Sequence, residues 1–459
     1  MKIRNMEPLL SSGDRDARKA VLDIAEMSLQ ALDSYHVIRN LLKLEGKILH
    51  IGNYRWDIGT KRRLYVVGAG KACNAMARAV DEVLGSLITK GIVIVKKLEE
   101  GDQLQHIELI EGGHPLPNQS GWKASQDILR LVDGATPEDL FIGLISGGSS
   151  ALMSCPVAGI TLEDEIQITD QLLKCSARIL EINAIRRHIS ATNGGRLAQR
   201  IETKGAELIN LIISDSVGDK SMVDPEKPAA FFGTPVAPDR TTIQDAQNVL
   251  KKFHLLSQAP KSIVNYIQTN DPSRETPKSF GSRVCHFVLR GTTDACEVVL
   301  SSAGKLGLPG MVLTTLLEGE SREAGTFLAT IAKEVVMNRR PLAPPCVLIA
   351  GGETTTAIKG PSGQGGPSQE LALGFALEVN GRKGICIAAI DTDGTDGPSD
   401  FAGGIADGYT VERARSRGID VYACLKNHDS SSVLTALGDA ILTGNTGTNV
   451  CDVTMIYIA

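Results

Sequence analysis

Short, almost unbroken apolar runs constrain this chain most, because each is followed by a loop of glycine or aspartate and then by a longer helical stretch. Residues 64–67 lead into GAGKA, 140–145 into SGGSSALMSCP, 208–213 into SDSVGDK, 347–350 into GGETT and 385–390 into DTDGTDGPSD. Strands that are apolar along their whole length are buried on both faces, as happens in parallel sheets covered by helices. Further runs at 91–95, 108–111 and 311–314 keep the alternation, and two helical patterns, 14–34 and 35–44, precede the first run. The predicted class is α/β, with two α/β domains and mainly parallel sheets. Proline-bearing breaks at 224–240 and 258–281 interrupt the periodicity. The expected division is a larger, Rossmann-like domain over 1–245 and a smaller one over 246–459, whose final segment from about residue 430 packs back on the first.

Composition removes several classes of function. With 42% hydrophobic and 22% charged residues the chain reads as globular. A net charge of −5 and only 4% aromatic residues give no footprint for nucleic acid. No window approaches the roughly 20 apolar residues that span a bilayer, and the first residues lack an apolar signal core, so a cytoplasmic protein is expected. Nine cysteines without a CxxC pair and eight histidines without HxH or HxxxH spacing leave a zinc site nothing to stand on. Any metal is expected to be oxygen-bound.

In an open α/β sheet, ligands bind beyond the carboxyl ends of the strands, so the loops carry the chemistry. In GAGKA, Gly68 and Gly70 open a dinucleotide fingerprint, but Cys73 stands at its third glycine position and the next strand ends in Lys96 and Lys97 instead of an acid. No GxxxxGK[ST] occurs. Three readings stay open: an NADP-type site, a corner that presents Lys71 and helix N-terminal amides to an anion, and a solvated lysine on a tight turn. The segment Ser146, Gly147, Gly148, Ser149, Ser150 is either a phosphate cradle or a capped turn.

Asp215 and Asp219 follow one buried run, and Asp391, Asp393 and Asp396 crowd another loop. Carboxylates this close need a cation or a shared proton, unless they are solvated turn residues. A calcium loop is rejected because its twelfth position is Ala402. Mg²⁺ held by one or two carboxylates plus phosphate oxygens fits better. Over 181–200, Ile182, Ile185 and Ile189 form an apolar stripe beside Asn183, Arg187 and Ser190. Arg187 there can face a carboxylate or phosphate, or the segment is a surface helix. Cations, a metal-ready acid cluster and further strand-end carboxylates together suit phosphoryl transfer. Hydride transfer and non-catalytic anion sensing are the rival classes.

Taken together, GAGKA, GGHPLPNQSG (112–121), LISGGSSAL, NAIRRHIS, SDSVGD, GTPVAPDRTT (233–242), ETPK (275–278), GGETT, DTDGTDGPSDFAGG and TGNTGTNVCD resemble the glycerate 2-kinase family, in order from about residue 15 to the C-terminus. That family joins an N-terminal glycerate-kinase domain to a C-terminal MOFRL domain, and some members carry the label hydroxypyruvate reductase. The resemblance implies ATP-dependent, Mg²⁺-assisted phosphorylation of the 2-hydroxyl of D-glycerate in a cleft between two α/β domains, in a protein that could be a homodimer. It places catalytic roles on Lys71, Asp215 and Asp219. Substrate or phosphate contacts fall on Gly70, Ser146 to Ser150, Arg187, Gln369 and Glu370, and metal contacts on Asp391 and Asp393.

The departures bear on substrate. Where the family has GGRNQE, this chain has Gly365-Gly366-Pro367-Ser368-Gln369-Glu370, and proline supplies neither charge nor donor. Thr234-Pro235-Val236 replaces SGPT, and Asn193 replaces a lysine before the twin glycine, whereas Arg187 keeps the charge of the family's lysine. A different or larger sugar acid is therefore the alternative substrate, and an NAD(P)H-dependent hydroxypyruvate reductase is the alternative from another class.

Overall fold

The structure, a computed structural model, describes residues 1–175, 177–222, 235–269, 271–358 and 360–459. Residues 233 and 234 of the GTPVAPDRTT motif, with Pro225 and Pro228, lie outside them. The described residues fall into two compact units, Ser34–Ser214 with Met222–Leu289, and Met1–Asp33 with Asp215–Ser221 and Arg290–Ala459. The expected cut at 245/246 lies instead inside the first unit, where the helix Ile243–Lys252 contributes Ala246, Val249 and Leu250 to a core shared with Ile182, Ile185 and Ile189. The apolar stripe of 181–200 is thus core.

In the first unit, a small antiparallel sheet of β1 (Leu42–Glu45), β2 (Ile48–Ile51) and β3 (Tyr54–Asp57) precedes the main sheet. The main sheet contains β4 (Arg63–Ala69), β5 (Lys90–Val95), β6 (Ile107–Glu111), β7 (Asp139–Ile145), β8 (Glu207–Ile213) and β9 (Val284–Arg290), in the order β6-β5-β4-β7-β8-β9. From β6 to β8 every pairing is parallel. Tyr65, Val67, Ile92, Ile94, Phe141 and Leu208 bury one face, which is why these runs are almost wholly apolar, and Asn210, a polar residue inside β8, gives its amide to the Cys285 carbonyl at 3.3 Å. Gly68 pairs with Leu144 and Ala69 with Ile145, so the loops after β4 and β7 leave the sheet side by side.

The second unit holds β10 (Gly310–Leu317), β11 (Cys346–Gly352), β12 (Ile385–Asp391), β13 (Gly403–Asp407), β14 (Ala440–Ile441) and β15 (Asp452–Ile458), in the order β10-β11-β15-β12-β13-β14. Here the expectation of a mainly parallel sheet gives way to a mixed one. Only β10 and β11 pair in parallel, because the last strand of the chain, β15, enters antiparallel between β11 and β12. The C-terminal segment therefore forms the centre of its own sheet. The N-terminus joins it: helix Arg15–Leu32 carries the fully buried Arg18, whose guanidinium bonds Asp407 and Asp439 at 2.5 and 2.7 Å.

Candidate active site

Two glycine corners of the first unit are pressed together. Lys71 donates its backbone N–H to the Gly147 carbonyl at 2.9 Å, and Ala72 donates to the Ser146 hydroxyl at 3.0 Å. A side chain at Gly70 would strike the Ser146 hydroxyl, so GAGKA and SGGSS require each other's glycines. Gly148 has φ +82°, and a Cβ there would lie 3.0 Å from the His114 ring and 3.3 Å from the Lys71 stem. Lys71, Gly148 and His114 therefore share one small space at the strand ends. Cys73, at the third fingerprint position, is fully buried against the Leu144 carbonyl at 3.4 Å, and burial pushes its thiol up to about 12. It packs helix Cys73–Leu84 onto the sheet and is inert chemically.

Behind SGGSS, Asn193 reaches the Ser150 carbonyl at 3.0 Å, so the twin-glycine turn at Gly194 braces the loop. Arg187 is drawn elsewhere, donating to Asp239 at 2.9 Å with both side chains buried. Burial would raise the Asp239 carboxyl, but the charge of Arg187 and bonds from Thr241 hold it below its ordinary value. His188 contacts the Ala184 carbonyl at 2.7 Å and Glu275 of the ETPK motif at 2.9 Å.

In the second unit, Asp215 is tied to the terminal TGTNVCD motif. Its carbonyl accepts from the Cys451 thiol at 2.8 Å, and its carboxylate lies 3.5 Å from the Asn449 amide. The Asp219 carbonyl accepts from Thr293 N–H at 2.9 Å, at the start of helix Thr292–Lys305. The two aspartates thus sit on a loop fixed at both ends.

The DTDGTDG loop divides its labour. Asp396, 1% exposed, accepts the N–H groups of Ser368 and Gln369 at 3.0 and 2.9 Å, capping helix Pro367–Val379 from outside its own sequence. Burial pushes its carboxyl up to about 7 in spite of these bonds. Asp391 pairs with Asp452 across β12 and β15. The Asp452 carboxyl is pushed well above its ordinary range by burial and by the charges of Asp391, Asp396, Glu353 and Asp393. Among the described residues no three acidic, histidine or cysteine side chains converge as a ready metal site. Gln369 is fully engaged, giving its amide to Ser399 at 2.9 Å and taking the Ser431 hydroxyl at 2.7 Å, while Pro367 begins the helix. Glu370 meets His428 at 2.9 Å.

Sequence reading singled out neither His114, Asn449, Asp452 nor His428. The first three lie in motifs that carried only the family resemblance, whereas His428, in KNHDSS, carried no signal.

The architecture is that of a two-unit α/β protein, and two family models match the chain: a domain of unknown function, DUF4147, over residues 20–268, and the MOFRL family over 346–452. Over 96% of its length the chain is 37% identical to a protein named glycerate 2-kinase from Pyrococcus horikoshii, covering 98% of that protein. It is 39% identical to a D-glycerate 2-kinase from Thermotoga maritima, over 85% of this chain and 89% of the relative. A protein named putative hydroxypyruvate reductase from Agrobacterium vitis is 37% identical over 86% of this chain and 87% of its own length. A crystal structure of glycerate kinase from Thermotoga maritima matches with TM-score 0.78 and 36% identity, covering 96% of this chain and 99% of that one. The chain belongs to the glycerate 2-kinase family.

Proposed function

We propose that this protein transfers the γ-phosphoryl group of ATP to the 2-hydroxyl of D-glycerate, giving 2-phosphoglycerate. The observation that carries the reading is the interlocked pair of glycine corners, which presents Lys71 beside the backbone amides of SGGSS in a chain that covers nearly the whole length of its glycerate-kinase relatives. Phosphoryl transfer asks a protein mainly for positioning and for charge opposite the phosphoryl oxygens. Lys71 supplies that charge. Gly70 and Ser146 to Ser150 supply hydrogen-bond donors to phosphate or acid oxygens, and one of Asp215 and Asp219 orients the hydroxyl. Arg187 acts through Asp239, and Gln369 through the packing of its helix.

Mg²⁺ fits the acidic loop in charge: Asp391, Asp393 and Asp452 form a like-charge crowd that an added cation would relieve. With no converging triad among the described residues, Asp391 and Asp393 would supply one or two oxygens, leaving the remainder to phosphate and water. The ion's contribution is neutralisation of phosphate charge. The reading carries with it a cytoplasmic enzyme, and a homodimer is compatible with it.

The reductase reading draws on the Agrobacterium name. Cys73, buried where the fingerprint needs glycine, speaks against it. ADP release on adding D-glycerate, set beside NAD(P)H oxidation on adding hydroxypyruvate, tests the two. Running the first assay with larger sugar acids tests whether the Pro367 departure has changed the acceptor.

A further inference from the structure

The Lys71 corner has a third side that neither GAGKA nor SGGSS supplies. A Cβ built on Gly148 would lie 3.0 Å from Cδ2 and 3.2 Å from Nε2 of His114, and 3.3 Å from Cγ of Lys71. One point thus touches both side chains, and the imidazole turns its Cδ2–Nε2 edge toward it, so ring nitrogen and lysine stem border the same gap. Gly148 is at φ +82°, where a side chain is disfavoured, and any side chain there would fill that gap. Exposure marks the same place: Lys71, Gly148 and His114 are half-buried, whereas Gly70, Ala72, Gly147 and Ser149 beside them are buried. A ligand that reaches the corner from solvent meets the lysine and the imidazole together.

The ring is held there by its own loop, and all of the residues involved belong to the first unit. Beyond β6, Gly112 N–H bonds the Val95 carbonyl at 2.9 Å, which carries the chain over the end of β5. A Cβ at Gly112 would lie 2.7 Å from Ile94 Cγ2 and 3.1 Å from Leu152 Cδ2, so the loop packs against the short helix Ser149–Leu152 that continues SGGSS. At the loop's other end, Asn118 accepts the Gly121 N–H at 2.9 Å and caps helix Gln119–Asp133. Residues 112–118 are therefore anchored on both sides of His114. An imidazole carries N–H at Nε2 in one neutral tautomer and in the imidazolium alike, so the ring can donate there without changing charge. Lys71 supplies charge to the gap, and His114 adds a directional donor.

We propose that His114 is a ligand of the transferring phosphoryl group, donating a hydrogen bond from Nε2 to an oxygen whose charge Lys71 offsets. The proton stays on the ring. As the acceptor hydroxyl oxygen bonds to the γ-phosphorus and the bond from that phosphorus to ADP breaks, a donor already aimed at the phosphoryl oxygens stabilises their charge without reorganising. The assignment rests on the kinase reading.

The test compares wild type with His114→Ala, His114→Asn and His114→Gln in kcat, KM for D-glycerate, KM for ATP and urea midpoint. A glutamine amide can place an N–H near the position of Nε2, whereas asparagine places one near that of Nδ1. His114→Ala should lower kcat about 100-fold, with KM for D-glycerate within about threefold of wild type. His114→Gln should recover at least about tenfold of that loss and His114→Asn should not, although their urea midpoints agree. Equal kcat in wild type and His114→Ala overturns the assignment. So does a His114→Gln variant no better than His114→Asn, or a loss confined to KM for D-glycerate, which would put the ring on the acid's carboxylate instead. If His114→Ala fails to fold, the comparison of His114→Gln with His114→Asn still decides. A wild type that phosphorylates no hydroxy acid removes the kinase reading, and the assignment with it, a result distinct from an active enzyme indifferent to residue 114.

Discussion

Arg187 and Lys71 both looked like cations for an anionic ligand, and their neighbours separate them. Arg187 is spent on Asp239, and its helix is buried by the isoleucine stripe that also made it recognisable. Lys71 sits on the corner where two loops meet. On the proposed kinase reading, Lys71→Ala should lower kcat by at least about 100-fold with no comparable fall in the urea midpoint, as expected where the side chain acts on developing charge. Nearby, Glu275 joins His188 to the start of helix Ile243–Lys252. Burial would raise its carboxyl, but bonds from Lys278, the Ile243 and Thr276 amides and His188 hold it well below the ordinary 4.5. A depressed carboxyl contributes stability above its unfolded value and loses it as pH falls toward its folded one. Glu275→Gln should therefore be less stable than wild type at pH 7, with the gap in urea midpoint closing as pH drops below 4.5.

At the level of elements, most of the strands that were legible are buried on both faces, and the apolar runs of β4, β5, β7, β8, β11 and β12 follow from that burial. β6 and β10, at sheet edges and only partly buried, were legible from their place in the alternation of strand and helix. The missed strands obey other rules. β1 to β3 are four-residue strands around Gly46 and Gly52, both at positive φ, and the helical periodicity running up to them concealed the first. The place of β15 is set by pairing with β11 and β12, which no local pattern announces. The same applies to Asp396: its sequence neighbours suggested a metal loop, and only the fold turns it into the cap of a helix that starts at Pro367. Asp396→Ala should cost about 1–2 kcal/mol, read from urea unfolding, since it strands two buried N–H groups.

For the molecule as a whole, the two units do not follow the order of the chain. The first 33 residues belong with the C-terminal part, and Arg18 is the reason that can be named: buried guanidinium against buried Asp407 and Asp439, with Arg413 sharing Asp439. Burial alone would lower the Arg18 pKa, but the bond and charge of Asp439 and the charge of Asp407 hold it above its ordinary value. Arg18→Met leaves these carboxylates short of a counter-charge and should lose about 3–5 kcal/mol in urea unfolding. A fragment starting at residue 246 should fail to fold cooperatively for the same reason. None of this could be read from the sequence, where Arg18 is one basic residue in an amphipathic helix. What the sequence did carry was the order of the strand-end motifs, because each is a contiguous run of residues, while their packing partners lie far along the chain.

The central claim is chemical, and one measurement meets it directly. Purified protein is mixed with ATP, Mg²⁺ and D-glycerate, ADP release is followed, and the phosphorylated product is identified by ³¹P NMR, with Lys71→Ala run in parallel. The account predicts stoichiometric ADP and 2-phosphoglycerate from the wild type and neither from the variant. ADP release that does not depend on the acid, or 2-phosphoglycerate formed equally well by Lys71→Ala, would contradict it.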